Sequence, residues 1–198
     1  MWLDNLLEFI RLGFQHIIPW GLDHILFIIA LFLTARRWQG LLIQVTFFTL
    51  AHTLTLGLAS AGLVSVPGWI VEPAIALSIS AMALDAIFDR GKGRWRLLLI
   101  FLFGLLHGLG FASQMVGYLE GADFAIALGG FNVGVELGQL TVLAITGLVA
   151  FGVKRILGAF KLANLYRMAV VIPVAVAIAC VGAYWAVERS GVLNLASL

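Results

Sequence analysis

Titratable side chains that could bind a metal ion lie inside the most apolar parts of this sequence. All four histidines belong to this set, together with four carboxylates. A charged or titratable group in hydrocarbon costs at least a few kcal/mol, so it normally faces a cavity or a partner. The alternative is that each group only joins two helices through a hydroxyl or a carbonyl. We expect one buried polar site, drawn from His16, His24, His52, His107, Asp23, Glu72, Asp85 and Glu136.

The segment HIIPWGLDH, from His16 to His24, is the most specific local pattern. Pro19 lacks a backbone N–H and Gly21 loosens the turn, so this pattern predicts a broken helix. Broken helices at membrane depth commonly border ion or substrate sites in transporters. A break would let His16 fold back toward Asp23, which could in turn orient a histidine.

Depth along the predicted helices supports a common site. At about 1.5 Å per residue, counting back from Arg36 puts Asp23 and His24 in the outer half of the membrane. The other groups fall at mid-depth (His52, His107 and Glu136), near the outer surface (Glu72) or near the inner surface (Asp85).

The fifth apolar run has two different faces. One face is polar and the nearly opposite face is a stripe of glycines that lets another backbone approach closely. A second glycine pair brackets a histidine in the fourth run. The polar face is formed by Asn132, Glu136 and Gln139, and the glycines are Gly130, Gly134 and Gly138 in the fifth run and Gly104 and Gly108 around His107.

The donor types narrow the choice of ion. Imidazole with carboxylate suits Ni²⁺, Zn²⁺, Co²⁺ or Cu²⁺, in contrast to the all-oxygen sites of Mg²⁺ or Ca²⁺. Cys180 is the single cysteine, which excludes a thiolate cluster and an intramolecular disulfide. The donor types leave all four metals open.

The elements that must position these groups are transmembrane helices. The chain is 62% hydrophobic and 11% charged, with a mean hydropathy of +1.07, which predicts an all-α integral membrane protein with a single domain over 1–198. Residues 1–15 have the pattern of an amphipathic helix on the membrane surface. About six runs qualify as spans: 17–35, 41–62, 69–88, 97–119, 124–153 and 165–187.

Basic residues predict the orientation. Ten of the 12 Lys and Arg residues fall in or beside the first, third and fifth loops, which the positive-inside rule makes cytoplasmic. Both termini then face outward, into the periplasm if the host is a Gram-negative bacterium and the protein lies in its inner membrane. Nothing in the sequence favours a nucleic-acid partner. The ten residues are Arg36, Arg37, Arg90, Lys92, Arg94, Arg96, Lys154, Arg155, Lys161 and Arg167.

At these residues the chain resembles the HupE/UreJ family of bacterial membrane proteins. The matching stretches are HIIPWGLDHIL (16–26), FTLAHTLTLGLA (48–59), VEPAIALSI (71–79), GLLHGLGFA (104–112) and FNVGVELGQL (131–140). Members are associated with hydrogenase or urease maturation, so the resemblance implies nickel uptake.

Three functions remain open. The first is a permease for a transition metal, most consistent with Ni²⁺ as substrate. The second is an intramembrane zinc hydrolase acting on a lipid or lipoprotein, in which Ser78 or Asp85 assists. The third is a metal-binding accessory protein that does not transport. A homo-oligomer formed through the glycine-rich faces is a further prediction.

For the permease, each predicted site residue has a role. Metal ligands would capture the ion at the outer mouth (His16, Asp23, His24) and hold it at mid-membrane (His52, His107, Glu136). Glu72, Asp85, Asn132 and Gln139 would flank the path or support the ligands.

Overall fold

A computed structural model describes residues 2–35, 37–88, 94–118 and 123–191, in which helices joined by short turns and loops are the only regular secondary structure. The predictions that fall on Met1, Arg36, Arg90, Lys92 and Leu119 lie outside this part. The helices are α1 (Trp2–Ile17), α2 (Leu22–Thr34), α3 (Trp38–Ser60), α4 (Gly68–Phe88), α5 (Arg94–Tyr118), α6 (Phe124–Ala159) and α7 (Ile172–Arg189). A 3₁₀ turn (Ala163–Leu165) and a π-helical turn (Arg167–Val171) precede α7.

The predicted membrane class is confirmed. In the described part of the chain, α3, α4, α6 and the segment Ala163–Arg189 are each long and apolar enough to cross a membrane. Together α1 and α2 form a fifth candidate, a pair bent by 70°. The apolar part of α5, Arg96–Ala112, is shorter. The finer prediction of six spans stays a prediction.

Two helix ends can be compared with the predicted spans. The predicted break near the start of the first span, 17–35, lies between Ile17, where α1 ends, and Leu22, where α2 begins. Helix α6 continues beyond the end of the fifth span, 124–153, through Lys154 and Arg155 to Ala159. The membrane boundaries of all the spans stay a prediction. At about 1.5 Å per residue, the 36 residues of α6 are far longer than a bilayer requires.

Three tightly packed helix pairs surround α2. The pairs are α1 with α6, α3 with α5, and α4 with α7, and α2 contacts α4, α6, α7 and α3. Between His24 and Thr34 every residue of α2 is apolar, as expected for a helix that is largely buried. Its side chains Phe27, Ile28 and Leu31 are each 1% exposed. The helix that carries Asp23 and His24 is therefore central.

Small residues allow the close approach in each pair. A Cβ added at Gly134 would meet the carbonyl oxygen of Ile10 on α1, and one at Gly104 would meet that of Phe48 on α3. In the third pair, Gly182 of α7 faces Ser80 of α4. The predicted close packing of the glycine stripes is confirmed. Their partners are helices of the same chain, and homo-oligomerisation through these faces stays a prediction.

Helix α1 packs along α6 on the face that contains Phe9, Gly13 and Ile17, which are buried. A Cβ at Gly13 would meet the backbone of Phe131. Its predicted position on the membrane surface stays a prediction.

Candidate metal centre

The break between α1 and α2 places two histidines side by side. Helix α1 ends just before Pro19, whose ring nitrogen cannot donate a helical hydrogen bond. Gly21 is needed here because a Cβ would meet the carbonyl oxygen of His16. The chain turns back on itself at this point, and the ring centroids of His16 and His24 are 4.8 Å apart. The predicted helix break is confirmed.

Two further histidines come from the α3–α5 pair. The centroid of the His24 ring lies 5.8 Å from that of His52 on α3 and 4.9 Å from that of His107 on α5. Gly108 makes this approach possible, because a Cβ there would meet the carbonyl oxygen of His52. The side chains of His24, His52 and His107 are buried.

Three of these imidazoles are placed to share an ion. His16, His24 and His52 each offer a ligand nitrogen, and these atoms lie within 4.8 Å of one another. An ion held at about 2.1 Å from each nitrogen would bring the nitrogens to roughly 3–4 Å from one another. A small inward movement of the rings would therefore complete the site.

The free nitrogens indicate how the rings are protonated. Nδ1 of His107 lies 2.8 Å from the carbonyl oxygen of Phe103, and a carbonyl only accepts, so Nδ1 carries the hydrogen. Nδ1 of His52 lies 3.1 Å from Oδ1 of Asn132, whose Nδ2 donates to the carbonyl of Leu128. Nδ1 of His52 therefore donates as well. Both rings present a bare Nε2, as in metal sites whose ligand histidines are oriented by a hydrogen bond.

All four Nε2 atoms share one property. In the described part of the chain, each is buried and makes no hydrogen bond, and they belong to His16, His24, His52 and His107. Buried polar atoms normally have a partner, and leaving one unpaired costs about 1–3 kcal/mol. Four such atoms in one cluster fit a cation that binds there.

Apolar rings enclose the cluster. Phe111 lies 4.1 Å from the His16 ring and Phe48 lies 5.0 Å from the His107 ring, measured between centroids. Phe131 stacks on Phe111 at 4.9 Å. These apolar walls lower the local dielectric constant on their side of the cluster and so strengthen any electrostatic interaction with a bound ion.

The predicted carboxylates are not in this three-histidine group. Asp23 faces Arg189 instead, with oxygen–nitrogen distances of 2.8 and 3.0 Å. Oε1 of Glu136 accepts a hydrogen bond from Thr46 at 2.8 Å, and its Oε2 is buried without a partner among the described residues. A ligand role for Asp23 or Glu136 stays a prediction.

The polar face of α6 meets α3, and it supports the cluster from one side. Oδ1 of Asn132 accepts a hydrogen bond from Nδ1 of His52. Oε1 of Gln139 accepts a hydrogen bond from Thr49 at 2.8 Å. The predicted division of α6 into a polar face and a glycine face is therefore confirmed, while the part that these residues play in function stays a prediction.

An open cavity of about 400 Å³ reaches the cluster. Three histidines (His16, His24 and His107), Asp23, Glu72 and Arg189 are among the residues that line it. Glu72, which was predicted to flank the path, lines this cavity, and its role in a path stays a prediction.

Asp85 lies elsewhere, at the other end of the bundle. Its carboxylate accepts from Nε of Arg96 at 2.9 Å, and Nη1 of Arg96 donates to the carbonyl of Thr34 at 3.2 Å. This contact joins α4 and α5 to the last turn of α2, where a cation also interacts favourably with the helix dipole.

The sequence reasoning missed two arginines. Arg96 was counted only as a loop charge, and Arg189 lies beyond the predicted end of the last span. One signal was present for Arg189: it is a basic residue at the outer end of the last run, on the side of the membrane to which Asp23 and Glu72 were also assigned.

The fold and the cluster define a class: an all-helical membrane protein with a buried polyhistidine site that could hold a metal ion. In a comparison with protein families, the chain matches the HupE / UreJ protein family over residues 1–189. The chain belongs to the HupE/UreJ family. Comparisons with curated proteins and with solved structures gave no match.

Proposed function

We propose that this protein is a permease that carries a divalent transition metal, with Ni²⁺ as its substrate. The observation that carries the proposal is the set of four buried Nε2 atoms without hydrogen-bond partners. Imidazole donors without thiolate suit Ni²⁺, Zn²⁺, Co²⁺ and Cu²⁺. The choice of nickel rests on the association of the HupE/UreJ family with hydrogenase and urease maturation.

The proposed path begins at the cavity. An ion reaches His16, His24 and His107 from the cavity side and is held by His16, His24 and His52. His107 is close enough to His24 to take part when the rings move. Because the ligands come from α1, α2, α3 and α5, movement of one helix changes the number of ligands and can release the ion.

We propose a bacterial inner membrane as the location, with six crossings and both termini outside. In this arrangement the first crossing is the run 17–35, which contains α2, and residues 1–15 lie at the membrane surface. The basic residues of the first, third and fifth loops then face the cytoplasm. Reporter fusions after Gly62 and after Phe160 test the arrangement: the first should be active outside the cytoplasm and the second inside.

The hydrolase alternative has less support. The three-histidine group could hold Zn²⁺ with an open position for water. However, Ser78 donates its hydroxyl to the carbonyl of Ile75 in its own helix at 2.6 Å. That bond is ordinary helix back-bonding, so Ser78 is not poised as a nucleophile.

Isothermal titration and flux test the proposal together. Ni²⁺ and Zn²⁺ are titrated into purified wild type and into His16→Ala, His24→Ala, His52→Ala and His107→Ala. Each loss should weaken binding at least tenfold, or about 1.4 kcal/mol. The loss of binding free energy in a double variant should be smaller than the sum of the losses in its two single variants, since the ligands share one site.

The matched control is Thr146→Val, which removes a hydroxyl that donates to the carbonyl of Val142 in its own helix. Ni²⁺ flux into proteoliposomes then separates a permease from both alternatives. Unchanged affinity in all four folded histidine variants contradicts the metal site. Tight binding without flux favours an accessory protein.

A further inference from the structure

Arg189 occupies a position that a metal ion would be expected to take. Its guanidinium binds both carboxylate oxygens of Asp23, at 2.8 and 3.0 Å, and lies 3.5 Å from an oxygen of Glu72. The ring of Trp185 supports it from another side, with 5.0 Å between the guanidinium carbon and the ring centroid. A forked pair of this kind is among the strongest charge-assisted contacts in proteins.

This contact lies in the cavity that reaches the histidines. Asp23, Glu72 and Arg189 line it together with His24 and His107, which are 5% and 2% exposed. The Nε2 atoms of these two histidines are buried and unpaired within the described residues. Two carboxylates beside unpaired imidazoles form a donor set for a divalent cation. The guanidinium of Arg189 already contacts the two carboxylates of this set.

We propose that Arg189 is a tethered cation that a divalent metal ion must displace from Asp23 and Glu72 before it reaches the histidines. The inference rests on the proposed transport function and adds a selectivity step to it. With Arg189 in place, the three side chains carry a net charge of −1. A divalent ion gains twice the Coulomb energy of a monovalent ion from the same carboxylates, so it competes better with the guanidinium.

The end of α7 allows this exchange. Arg189 is the last residue of the helix, and Gly191, with φ 75°, lies in a turn two residues later. Freeing the guanidinium requires movement of one long side chain at a helix terminus, while the core of the α4–α7 pair stays packed. Arg189 therefore acts as a specificity-determining residue without being a metal ligand.

The first test is the sign of the change in metal affinity. Arg189→Gln removes the competing charge, so we expect Ni²⁺ to bind about tenfold more tightly in isothermal titration, or about 1.4 kcal/mol. Arg189→Lys keeps the charge but loses the fork and should give a smaller increase. If Arg189 only positions Asp23, both substitutions weaken binding, and that result overturns the proposal.

The second test needs no metal. In a Cys180→Ala background, Ile75→Cys places a thiol in the cavity wall. Arg189→Gln changes the net charge of the three side chains from −1 to −2. A small cationic thiol reagent should then react about threefold faster or more, and an anionic reagent of the same size should react more slowly. Equal rates for both reagents, before and after the change, contradict the proposal.

Arg167→Gln is the matched control. Arg167 also bridges two helices, by donating to the carbonyl of Ile87 at 2.7 Å, but it does not line the cavity. It should alter neither affinity nor labelling. A further outcome is that the labelling responds as expected while neither wild type nor Arg189→Gln binds Ni²⁺. That result contradicts the proposed function, and it also contradicts the displacement of Arg189 by a metal ion.

Discussion

The two faces of α6 use opposite means to hold the molecule together. On one face, glycines bring α6 against α1 so closely that added atoms would meet backbone or core side chains. On the other face, polar side chains bond to α3 without any need for such closeness. The glycines are Gly130, Gly134 and Gly138, and the polar side chains are Asn132, Glu136 and Gln139.

The difference separates folding from function along a single helix. A backbone contact cannot yield to a larger side chain, so the glycine face controls assembly. A hydrogen bond sets the orientation and tautomer of its partner, so the polar face controls the ligands. Substitutions on the two faces should therefore have different readouts, and the following predictions test this from the largest effect to the smallest.

Gly134→Leu should have the largest effect. Its Cβ would meet the carbonyl oxygen of Ile10, and overpacking of this kind costs about 1–3 kcal/mol or more. We expect a fall of roughly 5–10 °C in Tm in detergent, or loss of monodisperse protein. Gly152→Leu is the control on the same helix, because nothing lies within 4 Å of its added Cβ. Equal Tm values for the two variants would contradict the assigned faces.

Asn132→Leu should affect binding more than folding. It removes the oxygen that accepts from Nδ1 of His52, so the ring loses its fixed tautomer. Loss of such a supporting bond typically costs 10- to 100-fold in metal affinity, and we expect a Ni²⁺ affinity about 10-fold lower by isothermal titration. Asn132→Asp keeps an acceptor oxygen and should retain more of the affinity. A Kd within twofold of wild type for Asn132→Leu would exclude this role.

Glu136→Gln tests the one carboxylate on the polar face. The amide oxygen can still accept from Thr46, so the substitution removes charge and keeps shape. We expect Ni²⁺ affinity to fall about three- to tenfold, up to roughly 1.4 kcal/mol. Thr46→Val removes the hydrogen bond and keeps the carboxylate, so it should have less effect. An equal loss from both would assign the effect to the hydrogen bond.

Gln139→Leu should have the smallest effect. Thr49 loses its acceptor on Gln139 but keeps the carbonyl of Val45, at 3.3 Å. We expect an unchanged Tm, within about 2 °C, and Ni²⁺ flux in proteoliposomes reduced about two- to threefold. A large fall in Tm would show that the polar face also controls folding.

Local patterns predicted much of this architecture. Pro19 and Gly21 predicted the break, because each changes what the backbone can do at its own position. Periodicity predicted the faces of α6, because a helix fixes which side chains point together. Neither signal depends on the rest of the chain.

The partner of the glycine face was not predictable in the same way. The apolar stripe of α1, which includes Leu6, Ile10 and Phe14, is equally suited to a membrane surface and to a groove on another helix. In the structure, the backbone of these residues lies against Gly130 and Gly134. An amphipathic pattern predicts that one face of a helix is apolar, but it does not predict which apolar surface packs against that face.

The sequence by itself determined that this is a membrane protein, because partition of a helix from water into hydrocarbon depends on composition and on runs of about 20 apolar residues. It also determined the chemistry of the site, because residue types fix the donor atoms. Only the tertiary structure decided which donors meet. Asp23 and Arg189 are 166 positions apart, and His52 and Asn132 are 80 apart. Such pairs form where packed helices bring them together, and the packing depends on the shape of every interface in the bundle.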